Sequence, residues 1–153
     1  MKIKGQVFDK PKPVSVVLPY GDENVLLQCG AVVDYADFIA QCPEPSPPQT
    51  LRPGNVAGVN LKDPKFLADV RTHSTLRTFW MIKESLKSTE DLVWDNVSDD
   101  KPDTWENLEK ELGTSFGPGG VAKIIQAVLR ANGLTNEIMG EARDSFLASQ
   151  SLQ

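Results

Sequence analysis

Proline placement constrains this chain more than any other feature. Five of its eleven prolines fall between positions 43 and 53: Pro43, Pro45, Pro47, Pro48 and Pro53. Each fixes φ, lacks an N–H donor and turns its predecessor away from helix. No helix and no central strand passes through such a tract. Residues 43–60 therefore read as an extended, polyproline-like linker without a core of its own. The linker separates a β-rich part with a short helix, residues 1–42, from a helical part, residues 61–153.

In the first part, Pro13–Leu18 and Asn24–Val33 are rich in Val and Leu, with Pro19-Tyr20-Gly21-Asp22-Glu23 between them. Two β-rich runs around Gly-Asp predict a hairpin. Lys2–Phe8 is a candidate third strand. Asp34 is placed to cap a helix carrying Tyr35, Phe38 and Ile39, which must stop before Pro43.

Beyond the linker the apolar spacing turns helical. Asp63-Pro64 combines an N-cap with proline at the first helical position. The helix it opens runs through Phe66, Val70, Leu76, Phe79, Trp80, Ile82 and Leu86 and ends near Ser88. Asp103 or Thr104 is expected to cap a short helix through Trp105, Leu108 and Leu112. Gly117-Pro118-Gly119-Gly120 breaks the chain. Val121, Ile124, Ile125, Val128 and Leu129 then form the cleanest amphipathic stripe. Asn132-Gly133 stops that helix, and Thr135 opens a last one with Ile138, Ala142 and Phe146. The sum is an α+β fold: a small N-terminal antiparallel sheet, then four or five helices. The sheet is expected to pack on the helices, because a lone hairpin is marginal in water.

Charge and composition narrow the function. Twenty-one acids against sixteen bases leave a net charge of −5, opposite to the basic face that phosphate neutralisation requires. Nucleic acid is not an expected partner. No apolar run is long enough to span a bilayer, and Met1–Gly5 lacks the apolar core of a secretory leader. Cytosolic thiols at Cys29 and Cys42 are expected to stay reduced. Segment 89–112 holds nine acids and two lysines, a balance of −7. It lacks the order of a calcium loop and reads as a solvated acidic connector.

No residue set supports catalysis. The lone histidine, His73, shares a helical stripe with Val70 and Leu76 and reads as a packing residue. Cys29, Cys42 and His73 are too few and too scattered for structural zinc. The Gly117 cluster lacks the lysine of a phosphate loop. The expectation is a non-enzyme with no cofactor and no metal. Binding has better candidates. Trp80, Trp94 and Trp105 fall within 26 residues of one another, and tryptophan is enriched where partners anchor. Trp94 and Trp105 flank the acidic connector, and an anchor set in an acidic rim would suit a basic partner. The stripe Val121, Ile124, Ile125, Val128 and Leu129 and the face of the 64–87 helix are the other candidate surfaces. Part of each must be core, and periodicity alone does not divide them.

Taken in order, Val33-Asp34-Tyr35-Ala36-Asp37-Phe38, Cys42-Pro43-Glu44-Pro45-Ser46-Pro47-Pro48, Asp63-Pro64-Lys65-Phe66, Ile82-Lys83-Glu84-Ser85-Leu86, Leu92-Val93-Trp94-Asp95-Asn96-Val97, Pro102-Asp103-Thr104-Trp105, Asn132-Gly133-Leu134 and Ala142-Arg143-Asp144-Ser145-Phe146-Leu147 resemble the tail assembly chaperones of long-tailed bacteriophages over nearly the whole chain. These are packing and turn motifs. The resemblance implies an acidic, largely helical protein of the host cytoplasm that binds the tape measure and tail tube proteins during tail morphogenesis. It also implies absence from the mature virion. The alternative is a virion structural component, such as a connector or tail-completion protein. Self-association into a homo-oligomer is compatible with either.

Overall fold

A computed structural model describes residues 1–134, 143–144 and 147–148. Among these the elements run β1 (Lys2–Ile3), β2 (Gln6–Val7), β3 (Val14–Tyr20), β4 (Glu23–Cys29), α1 (Ala36–Gln41), β5 (Gln49–Arg52), β6 (Val56–Val59), α2 (Pro64–Leu86), a 3-10 turn (Pro102–Thr104) and α3 (Asn107–Ala131). The α+β class holds. In place of one N-terminal sheet there are three separate antiparallel pairs, β1-β2, β3-β4 and β5-β6. In place of four or five helices there are three among the described residues. The expected last helix, with Thr135, Ile138, Ala142 and Phe146, lies outside them.

The β3–β4 hairpin forms where Gly-Asp predicts it. Tyr20 pairs with Glu23 across Gly21-Asp22, and Gly21 adopts φ +62°, the first position of a II′ turn that matches strand twist. Alternation then sorts the faces. Leu18 and Leu27 point into the core, while Val17 and its cross-strand partner Leu26 face solvent. The second strand stops at Cys29, short of Val33. Gly30 leaves the ladder to donate its N–H to Ser85 O at 2.9 Å, and a Cβ there would run into Ser88 Oγ. Thr89 Oγ1 closes the outer edge of β4, accepting from Gln28 N–H and donating to Gln28 O.

Residues 2–7 do not extend that sheet. Lys4-Gly5 turns the segment back on itself and pairs Ile3 with Gln6. Residues 43–60 are not wholly linker either. Thr50-Leu51 and Val56–Val59 favour strand, and Pro53-Gly54-Asn55 closes them into a hairpin with Arg52 opposite Val56. Pro48 O accepts from Asn60 N–H at 2.9 Å, so the base of this hairpin is pinned shut. Neither β1–β2 nor β5–β6 packs substantially on another element.

α1 begins at Ala36, not directly at Asp34. Asp34 Oδ1 instead takes the Ala36 N–H, two residues on. α2 starts as expected: Asp63 Oδ2 accepts from Phe66 N–H at 2.9 Å, with proline in the first turn. The helix expected from Asp103 or Thr104 starts at Asn107, because Thr104 Oγ1 is engaged by Ser98 N–H and Lys101 O. The glycine cluster interrupts α3 at one residue only. Gly117 sits at φ 67°, ψ 176°, a region essentially reserved for glycine. Pro118 then restarts the helix as a first-turn proline. Leu134 N–H to Leu129 O and Gly133 N–H to Arg130 O end it as a paired cap.

One core unites these parts. The β3–β4 hairpin packs on α3, and α2 packs on α3 and β4. Phe38 of α1 is the aromatic centre, with ring centroids 5.1 Å from His73, 5.7 Å from Trp80 and 6.3 Å from Trp105. Asn132 ties three segments: Oδ1 accepts from Val32 N–H, and Nδ2 donates to Ser85 Oγ and Val128 O.

Candidate partner-binding surfaces

The sequence-derived binding residues divide sharply. Trp80, Trp105, Val121, Ile124, Ile125, Val128 and Leu129 are all buried in the core. They are unavailable to a partner on this surface, and the expectation of an exposed stripe from 121 to 129 is corrected. The reason is topological: both β3–β4 and α2 lean on that face of α3. Trp105 is held by its indole N–H, which donates to Ser98 O at 2.9 Å. Trp94 alone of the group is half-buried against the core.

α2 is divided along its length. Phe79, Trp80, Met81, Ile82, Lys83, Ser85 and Leu86 are buried, all in its C-terminal third. Leu67 and Val70, in its N-terminal half, are exposed. The chain leading into that half is exposed as well: Leu51, Val56 and Val59 of β5–β6, and Leu61 beyond it. Together these residues make up an apolar arm of the sequence: a hairpin with Leu51 and Val59 on one face and Val56 on the other, followed by the first turns of α2. Sequence reading missed the hairpin because the prolines dominated the segment. The signal was present in Leu51-Arg52-Pro53-Gly54-Asn55-Val56, two β-formers around a turn.

The acidic connector is solvated as expected, with Glu90, Asp91, Asp95, Asp99, Asp100, Asp103 and Glu106 exposed, and its backbone is also tied down. Asn107 Nδ2 donates to Asn96 O, and Asp95 N–H donates to Glu111 Oε1 at 2.7 Å. Lys83, 1% exposed, donates to Glu84 at 2.6 Å and Asp99 at 2.8 Å, and its ammonium lies 5.5 Å from the Trp105 ring centroid. The bond from Lys83 holds the Asp99 carboxyl below its usual range, against partial burial that acts the other way. Partial burial works against the charge of Lys87. Its bond to Glu84 and the charges of Glu84 and Asp99 still leave it above its usual range.

Beside this loop lies an open groove of about 610 Å³ between residues 92–96 and the first segment of α3. Leu92, Trp94, Leu112 and Phe116 supply apolar wall, and Val93, 83% exposed, stands at the rim. Asp95, Lys110 and Glu111 supply the charge. Glu111 Oε2 is shielded from water and has no hydrogen-bond partner.

The remaining reactive groups are used in packing. His73 Nε2 is 3.1 Å from Cys42 O. Cys29 and Cys42 are buried free thiols; burial pushes Cys29 up to about 11 and also raises Cys42. Among the described residues no group of three or more His, Cys, Asp or Glu is placed to hold a metal ion. Nor is any described helix long and apolar enough to cross a membrane. No family model, curated protein or solved structure matches the chain.

Proposed function

We propose that this protein is a non-catalytic tail assembly chaperone of a long-tailed bacteriophage. On this reading it binds the tape measure and tail tube proteins in the host cytoplasm and leaves before the virion is complete. The apolar arm carries the proposal. A chain with one well-packed core still keeps Leu51, Val56, Val59, Leu61, Leu67 and Val70 in solvent. Large apolar side chains left in solvent mark candidate interaction sites, and both an open strand pair and an exposed helix face can take an apolar client segment. The family resemblance supports the identity of the client. The engagement of His73 and the thiols in packing supports a binding role over a catalytic one.

The test is co-expression with the tape measure and tube proteins followed by pull-down. Wild type is compared with a variant in which residues 49–59 are replaced by a short Gly-Ser bridge. The closed base, Pro48 O to Asn60 N–H, makes the excision compatible with the fold. Wild type should capture a client, while the excised variant should keep its helical circular dichroism and lose capture. No association of wild type with either protein would sink the proposal. Stoichiometric presence in purified virions would point to a structural component instead.

A further inference from the structure

We infer a second binding site: the groove beside the acidic connector takes a peptide segment in which a basic side chain is flanked by apolar ones. Three features of the groove point to that occupant. The first is an unanswered carboxylate. Glu111 is fixed by the short bond from Asp95 N–H to Oε1, yet Oε2 is dry and accepts nothing. Leaving a shielded acceptor unpaired costs about 1–3 kcal/mol, a cost that an arriving donor removes. Both oxygens turn together about the terminal torsion, so a donor in the groove reaches Oε2 by a small shift of the whole carboxylate that pivots on the Asp95 bond.

The second feature is the wall. Leu92, Trp94, Leu112 and Phe116 line a trough, and Trp94, half-buried among them, presents ring surface on which the stem of a lysine or arginine can lie. Third, the field has the right sign. Asp95 and Glu111 outnumber Lys110 in the lining, and the surrounding segment 89–112 carries −7. A purely apolar ligand would leave Glu111 unanswered, and an acidic one would be repelled. A protein segment offering a cation with apolar neighbours satisfies all three features. Guanidinium fits better than ammonium, since it can pair with a carboxylate and stack on an indole at once.

The probe is a synthetic amphipathic helical peptide of leucine, alanine and arginine, with twins in which glutamine or glutamate replaces arginine. The readouts are Trp94 fluorescence and backbone amide shifts of the full chain. The arginine peptide should bind, shift the amides of residues 92–96 and 107–116, and weaken with salt. Glu111→Gln keeps an oxygen for Asp95 N–H and should weaken binding about tenfold, the loss expected for one charge-assisted hydrogen bond. Val93→Ser, at an exposed rim position that does not threaten the fold, should weaken it as well. Equal binding of the arginine and glutamine peptides would overturn the site. So would an unaltered affinity in a folded Glu111→Gln protein, or shifts confined to the arm. The synthetic probe reports on the groove whether or not the client of the arm is a tail protein.

Discussion

Lys83 shows how single residues set the terms of this fold. Its ammonium is buried, but its partners differ: Glu84 is mostly covered and Asp99 is largely in solvent. Removing the lysine leaves two carboxylates with some access to water. Removing the carboxylates strands a buried cation, which typically costs about 3–5 kcal/mol. Glu84→Gln with Asp99→Asn should therefore lower the urea midpoint clearly more than Lys83→Met. The sign of the pH effect follows from Asp99. Its folded carboxyl titrates below the unfolded one, so its contribution is complete above the unfolded value and disappears as pH falls through the folded value. The loss of stability from about pH 4 downward should be shallower in Asp99→Asn, as measured by denaturation across that range. Sequence alone did not separate Trp94 from Trp105, since both flank the same acidic run. Their difference lies in a bond to Ser98 O and in contact with Phe38, neither visible before the chain is folded.

At the scale of elements, local chemistry was legible and partnership was not. Asp63-Pro64, Gly21-Asp22 and Asn132-Gly133 all act where they stand in the sequence, because caps and turns are decided by neighbours a few residues away. The amphipathic stripe of α3 was equally plain, but a stripe shows only that a face will be covered, not by what. β3–β4 and α2 cover it, and the apolar residues left in solvent lie elsewhere, those of the arm among them. The break in α3 carries its own prediction. A Cβ added at Gly117 would meet nothing within 4 Å, so the obstacle to substitution is the backbone conformation. Gly117→Ala should cost about 1–3 kcal/mol through strain alone, seen as a lower thermal midpoint. A change within measurement error would show that the kink relaxes freely.

The whole molecule depends on contacts that are remote in sequence. The inner face of β3–β4 is covered by the last described helix, and Val32 donates to Asn132 across 100 residues. Contacts of this separation slow folding, because loop closure is paid for before any contact forms. A chain ending at Gly120 should leave the amides of Leu18 and Leu27 open to hydrogen exchange, while the full chain protects them. Protection in the shortened chain would mean the hairpin is stable alone. The bond from Asn132 to Val32 therefore also acts as a clock. During translation the apolar side of β3–β4 stays bare until α3 has left the ribosome, so the core stays open while the 100 residues from Val32 to Asn132 are made.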